Sequence, residues 1–359
     1  MKKQVTLLIL FVMVISFAGQ QSSVNAVTKE KNPYVVKYLL EQEEKGSVIT
    51  EEDINDEIFQ TLEEYYSEDK KVEKIIEKYS KSVQLTDSIF SIEKEGKIEV
   101  MHFLMNIYDD FNKNEKTIVK GYFERYAFCS YDEDATNFMK KLYGQNDSYD
   151  LKDSGITDGI KQEDNISIKT SGSYSGYTAA TWARANYNQY STNYPKLTEG
   201  DFSDCANFVS QAIEQGGKIQ DSEWYCTKKN STYLVPTTVA QLNYSWDLAD
   251  PSPWTSVSEF RSYWVENCDT STIYSCSYYN NNHSVVYSLP WYKGDVLILH
   301  TGIYGFVTIP KHAMMITGYD SVNKDYLYSS HSSERLDKEL LFATASAQGY
   351  AAVEFIAID

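Results

Sequence analysis

Hydrophobic residues recur along the first 143 positions with two different periods. Behind Thr50 and Asp53, which have the spacing of a weak capping box, Ile58, Leu62, Tyr65, Val72, Ile76, Tyr79 and Val83 follow at roughly helical intervals. The spacing predicts one long helix, or two with a break near Ser67. Beyond it, Ser88 to Ile92 and Lys97 to Tyr108 flank Lys94-Glu95-Gly96, and Met101, Phe103, Met105 and Ile107 alternate with other residues as in a half-buried strand. Helix is the competing reading for residues 98–111. The pattern suggests a helix packed on hairpins, an α+β or mainly helical unit. His102 and Cys129 stand alone in it and read as packing residues.

Ser203 to Gly217 reads as one short, complete helix. Ser203 or Asp204 can cap its start, Gly216-Gly217 can end it, and positions 205, 208, 209, 212 and 213 form an apolar face. Three strands follow downstream, at Gly294 to His300, Lys311 to Tyr319 and Asp325 to Ser330. If Ser321-Val322 is the tight turn between the last two, His312 lies opposite His331. A turn at Asn323-Lys324 instead sets His312 opposite Arg335. A loop from Thr301 to Lys311 could fold His300 back beside His312.

Composition adds a partition. The chain of 359 residues carries 33 Lys or Arg and 51 Asp or Glu, a formal charge of −18, with 42% hydrophobic residues. Such a surplus of acid excludes nucleic acid as the expected partner, because binding phosphate needs clustered cations. Residues 27–165 hold −13 of that charge and 166–359 hold −7. Residues 144–173 are rich in Gly, Ser, Asn and Asp and read as an exposed linker, with the boundary near Ile168. The expected organisation is therefore an acidic N-terminal domain over 27–143, the linker, and a second domain over 174–359.

Residues 1–26 have the pattern of a cleavable export signal: Lys2 and Lys3, an apolar run from Val5 to Ala18, and Val24-Asn25-Ala26 at the cleavage position. That run is short for a membrane span of about 20 residues. The mature chain would begin at Val27 with no membrane association, and Glu354 to Asp359 reads as a final strand, so free secretion is expected. Five cysteines, Cys129, Cys205, Cys226, Cys268 and Cys276, leave at least one free thiol or an intermolecular bridge in an exported chain. If one is a reactive thiol, the other four allow three pairings, and Cys268 with Cys276 closes the smallest loop. No Cys-x-x-Cys or His-x-x-x-His spacing supports a zinc site, and no cofactor is expected.

Cys205 falls in the first turn of its helix, where free backbone N–H groups and the positive dipole end favour a thiolate. The negative charge of Asp204 opposes this, so a further cation is needed, which a histidine supplies. His283, His300, His312 and His331 all lie downstream of Cys205.

These residues resemble the putative amidase domain family, a papain-like group related to NlpC-type cell-wall peptidases. The resemblance is carried by Tyr177 to Pro195, by Asp204-Cys205-Ala206-Asn207-Phe208-Val209-Ser210-Gln211, and by Trp246 with Ser252 to Trp264. Gly294-Asp295-Val296, His312 to Asp320 and Ser330-His331-Ser332 complete it. Ala206 departs from the hydroxyl residue common in the family, and the loop from Thr301 to Lys311 lacks an Asp-rich character. The resemblance implies a papain-like, NlpC-like α+β domain with the cysteine helix packed on an antiparallel sheet. It implies a secreted thiol amidase or peptidase, with Cys205 as nucleophile, His312 as general base and His331 as the residue orienting it. Tyr194 and Asp204 are candidates for oxyanion or support roles, with His300 the rival to His331. Peptidoglycan or another peptide is the expected substrate. The alternatives are an inactive binding or adhesion module, and acyl transfer to an amine as in transglutaminases.

Overall fold

Asn55 turns its side chain onto the Glu57 N–H and begins a 24-residue helix, Asp56–Tyr79, that passes Ser67 unbroken. The capping box of Thr50 and Asp53 exists, but it closes a short 3-10 turn, Glu51–Asp53, ahead of that helix. The computed structural model describes residues 32–47, 49–80, 83–143, 174–268 and 270–358. The export segment expected over 1–26 and the linker expected over 144–173 lie outside the described residues.

Among the described residues, positions 32–143 hold six α-helices and no strand: α1 (Pro33–Glu44), α2 (Asp56–Tyr79), α3 (Val83–Ile89), α4 (Lys94–Asn106), α5 (Lys113–Ser130) and α6 (Glu133–Leu142). Helix α4 replaces the strand expected over 97–108. Its buried positions are Lys97, Val100, Met101 and Leu104, an i, i+3, i+4, i+7 face in which a lysine stands at a core position and hides the helical period. Lys97 is tolerated there because its ammonium lies 2.7 Å from Asp69 of α2 and 2.5 Å from the Ile89 carbonyl, with the Tyr126 ring 4.2 Å away. Gly96 is no hairpin turn. It sits in the first turn of α4, where a Cβ would come within 2.4 Å of Ser91.

The second half opens with α7 (Gly176–Asn186) and α8 (Cys205–Gln215). A two-stranded ribbon, β1 (Cys226–Lys228) with β2 (Trp246–Leu248), brackets α9 (Val239–Ser245), and α10 (Val257–Glu266) follows. Then come β3 (Ser271–Ser275), α11 (Cys276–Tyr287), β4 (Val296–Tyr304), β5 (Val307–Asp320), β6 (Asp325–Ser330), β7 (Arg335–Glu339), α12 (Leu340–Thr344) and β8 (Ala352–Ile356). The last six strands form one antiparallel sheet in the order β3-β8-β4-β5-β6-β7.

Alternation along β5 divides the interior. Ala313 and Met315 join Val296, Ile298 and Ile356 on the face that packs against Phe208, Val209 and Ala212 of α8. Met314 and Ile316 join Leu297, Leu299, Val353 and Phe355 on the other face, in a core continuous with Val100, Phe123 and Phe128 of the N-terminal helices. Phe128 meets Tyr274 of β3 at 4.7 Å between ring centres. The six helices and the sheet thus share one apolar core.

The loop expected from Thr301 to Lys311 is instead strand. Tyr304 pairs with Val307, leaving only Gly305-Phe306 as the turn, and Gly305 takes φ 53°. The N-terminal helices hold this hairpin tip: a Cβ on Gly305 would come within 2.7 Å of the Ile92 carbonyl, and the Tyr65 hydroxyl donates to the Phe306 carbonyl at 3.1 Å.

The β5–β6 register follows neither expected turn. Asp320 pairs with Asp325 across the four residues 321–324, and a bulge at Thr317 shifts the ladder by one more residue before Ile316 meets Tyr328. Because β6 ends at Ser330, His331 lies past the paired strands.

Candidate active site

Cys205 is the first residue of α8 and is fully buried. Asp204 holds the N-cap position, yet no side chain caps the helix there. Ser203 faces the sulfur instead. Its hydroxyl lies 3.3 Å from Cys205 Sγ and 3.0 Å from the Ser332 hydroxyl, and Ser332 accepts the Asp204 main-chain N–H at 3.1 Å. Main-chain N–H groups of Ala313 and Ala206 face the sulfur as well. Burial pushes the Cys205 thiol pKa up, these donors pull against it, the Asp204 charge adds to the rise, and the net direction is upward.

His312 is the residue before Ala313 on β5 and shares the strand face of Met314 and its cross-strand partner Leu299; among the described residues no hydrogen bond joins its ring to Cys205. His312 is half-buried, and desolvation lowers its pKa to about 4. Among the described residues no group hydrogen-bonds the ring. Both partners of the expected pair are therefore neutral at rest.

The two histidines considered as its orienting partner are engaged elsewhere. His300 Nε2 lies 3.1 Å from Glu354 Oε2 and its Nδ1 lies 3.1 Å from Thr308 Oγ1. Strand β4 does place His300 beside β5, with Leu299 opposite His312 and His300 opposite Pro310 across a bulge at Lys311. His331 Nδ1 lies 2.6 Å from Asp204 Oδ2, and Nε2 lies 2.8 Å from the Asn186 carbonyl. The expected His331–His312 contact is thus replaced by a contact with the cap of the cysteine helix, because the register carries His331 beyond β6.

Both partners of His331 are acceptors. Asn186 is the last residue of α7, and Phe208 stacks on the ring at 4.2 Å with Tyr190 at 4.5 Å. Asp204 Oδ1 completes the network by accepting from the Leu197 N–H at 2.8 Å and Asn207 Nδ2 at 2.9 Å.

Tyr194, the oxyanion candidate, points away. Its hydroxyl bonds the Glu214 carboxylate near the far end of α8, roughly 13 Å along the axis from Cys205, and its ring stacks on Trp254. Other polar residues of the cysteine motif are structural: Asn207 bonds the Pro195 carbonyl and Trp254 Nε1, and Ser210 bonds the Trp254 carbonyl and Trp224 Nε1. The hydroxyls of Ser203 and Ser332 carry no sequence signal beyond their nearness to Cys205 and His331. None of the five cysteines is in a disulfide, including Cys268 and Cys276. Among the described residues no three His, Cys, Asp or Glu side chains converge as metal ligands would.

A groove of about 410 Å3 is lined by Tyr190, Phe202, Ser203, Ser332 and Glu334. Cys205 and His312 are not among its lining residues; Ser203, whose hydroxyl lies 3.3 Å from Cys205 Sγ, is.

A family model described as "Putative amidase domain" matches residues 173–354, just over half of the chain. No curated protein and no solved structure matches it. The matched span runs from α7 into β8 and contains Cys205, His312 and His331, and it points to amide hydrolysis in general. The chain belongs to the putative amidase domain family.

Proposed function

We propose that the protein is a secreted, cysteine-dependent hydrolase of amide bonds, built on a papain-like, NlpC-like plan and acting on peptides of the cell wall. One observation carries the cysteine assignment: Cys205 opens a helix at its first turn, and its sulfur lies near Ala313, the residue after His312. Export and the cell-wall substrate are supported by the pattern of residues 1–26 and by the resemblance of the cysteine motif.

The chemistry starts from a neutral pair. As Cys205 Sγ bonds to the carbonyl carbon, its proton passes to His312, so the developing thiolate and imidazolium arise together. The oxyanion forms at the start of α8, where first-turn N–H groups lack partners within the helix and the dipole end is positive. Collapse of the adduct breaks the C–N bond while His312 returns the proton to the leaving amine. Water, deprotonated by His312, then cleaves the thioester, giving a carboxylic acid and the free thiol. In this scheme Asp204 and His331 transfer no proton. They fix the helix that carries the nucleophile.

Labelling with a thiol-directed substrate analogue tests the assignment. Cys205 should be modified ahead of the other four cysteines, and His312→Ala should slow its labelling. Uniform labelling of all five, or labelling indifferent to His312, contradicts it. A labelled amine added during turnover separates hydrolysis from acyl transfer: incorporation into product marks transfer, and its absence supports the hydrolase.

A further inference from the structure

We propose that Glu334 sets the specificity of the groove beside Cys205, and that the groove takes a substrate residue bearing a primary ammonium group. The proposal rests on the hydrolase reading for the place where substrate lies. Glu334 is the one charged side chain among the residues that wall the groove. Its only described contact is with the Tyr190 hydroxyl, which donates to Oε1 at 3.3 Å and leaves the charge uncancelled.

Nearby cations have other contacts. Arg335 lies over the Phe342 ring at 5.5 Å and Arg184 pairs with Asp337 at 2.7 Å, while Lys196 rests on the Tyr190 ring of the groove wall at 4.3 Å without pairing with Glu334. Among the described residues no lysine or arginine forms an ion pair with Glu334. An exposed carboxylate at the rim of an aromatic-walled groove attracts an ammonium and repels an anionic residue.

The backbone that carries Glu334 is held in place at a cost. Ser332 has φ 67° and Glu334 has φ 47°, a region that residues with a Cβ seldom occupy. Two anchors impose it: His331 is fixed to Asp204 and Asn186, and the Ser332 hydroxyl is fixed to the Asp204 N–H and to Ser203. The same contacts that set the cysteine helix therefore hold the segment that brings Glu334 to the groove, where it accepts from the Tyr190 hydroxyl. An ammonium could come from a lysine-type side chain or from a free N-terminal amine, and the groove chemistry is shared by both.

The test uses the full chain with Cys205→Ala, so that binding is read without turnover. Acetylated tripeptide amides carrying a central lysine, its Nε-acetyl form or norleucine are titrated by calorimetry, alongside a norleucine peptide with a free α-amine. One of the two ammonium peptides should bind about tenfold more tightly than its uncharged counterpart, which identifies the source of the ammonium. Adding Glu334→Gln should remove the preference, and Glu334→Lys should reverse it toward a glutamate peptide. Equal affinity for charged and uncharged peptides, or a preference that survives Glu334→Gln in a normally folded protein, overturns the assignment. Turnover is read separately on the protein that retains Cys205. Binding preference without hydrolysis retains the role of Glu334 and removes the hydrolase, whereas hydrolysis without preference does the reverse.

Discussion

Asp204 Oδ2 and His331 Nδ1 lie 2.6 Å apart with both side chains almost wholly buried, and the residue after Asp204 is the candidate nucleophile. The pair ties the end of β6 to the start of α8 and, through Asn186, to the end of α7. Removing one partner leaves a buried polar group without its hydrogen bond, which typically costs about 1–3 kcal/mol. Asp204→Ala and His331→Ala should each lower stability by that order in urea unfolding, and the double variant should lose much less than the sum. Additive losses would show that the two residues do not act as a pair.

Whether His331 positions or transfers a proton is decided by its amide replacement. His331→Asn keeps a donor for Asp204 without a titratable ring, so it should recover part of the activity lost in His331→Ala and leave the pH dependence of kcat/KM unchanged. A moved pH limb in His331→Asn would put the ring in the proton path.

That pH dependence is set by Cys205 and His312 as a coupled pair. His312 is held down at about 4 by burial, and the Cys205 thiol is raised by burial, so the singly protonated pair spans a wide range. The acid limb of kcat/KM should lie near pH 4 and the alkaline limb above the ordinary thiol range, with a plateau through neutrality. An acid limb near the ordinary histidine value of about 6.5 would contradict the desolvated ring.

Glu354 makes a separate link between the sheet and the N-terminal helices. Burial pushes its pKa up, but Arg261, with guanidinium nitrogens at 2.6 and 3.1 Å, and His300 pull it down to about 2. Arg261 also holds Glu64 of α2 at 2.7 Å. A depressed carboxyl contributes stability above its unfolded pKa of about 4.3, lost as pH falls through the folded value of about 2. Acid unfolding should therefore steepen in that window, and Glu354→Gln should weaken the pH dependence there. An unchanged acid profile in Glu354→Gln would count against the link.

Glu124 behaves in the opposite sense. Burial raises its pKa to about 7 against the pull of Lys120, 3.1 Å away. A raised carboxyl contributes stability below its unfolded value, lost as pH climbs through the folded one. Glu124→Gln should flatten the decline in melting temperature between about pH 4 and 7. A decline as steep as that of the unaltered protein would mean that Glu124 titrates normally.

The sequence pattern exposes the cysteine helix because Cys205, Phe208, Val209, Ala212 and Ile213 keep helical spacing and Gly216 ends it, although Asn207, Ser210 and Gln211 are buried as well. The three strands downstream are legible for the same reason. Helix α4 is not, since Lys97 occupies a core position only because Asp69 waits 28 residues away. The partner of His331 depends on a four-residue turn and a bulge at Thr317, which shift register without a distinct composition. Tyr194 stands near Cys205 in sequence, yet its direction is fixed by Glu214 and Trp254, contacts that no local pattern announces.

The central claim is that Cys205 forms the thioester. Its most direct measurement is amine release from a purified peptidoglycan or peptide-amide digest, read by mass spectrometry for the unaltered chain and for Cys205→Ala, with the fold of each checked by circular dichroism. Alanine at the first turn costs the helix little, so the variant should fold. The unaltered chain should generate new amines matched by new carboxylates, and Cys205→Ala should show a loss of at least about a thousandfold, as removal of an essential nucleophile does. Amine release by Cys205→Ala at a rate near that of the unaltered chain would contradict it.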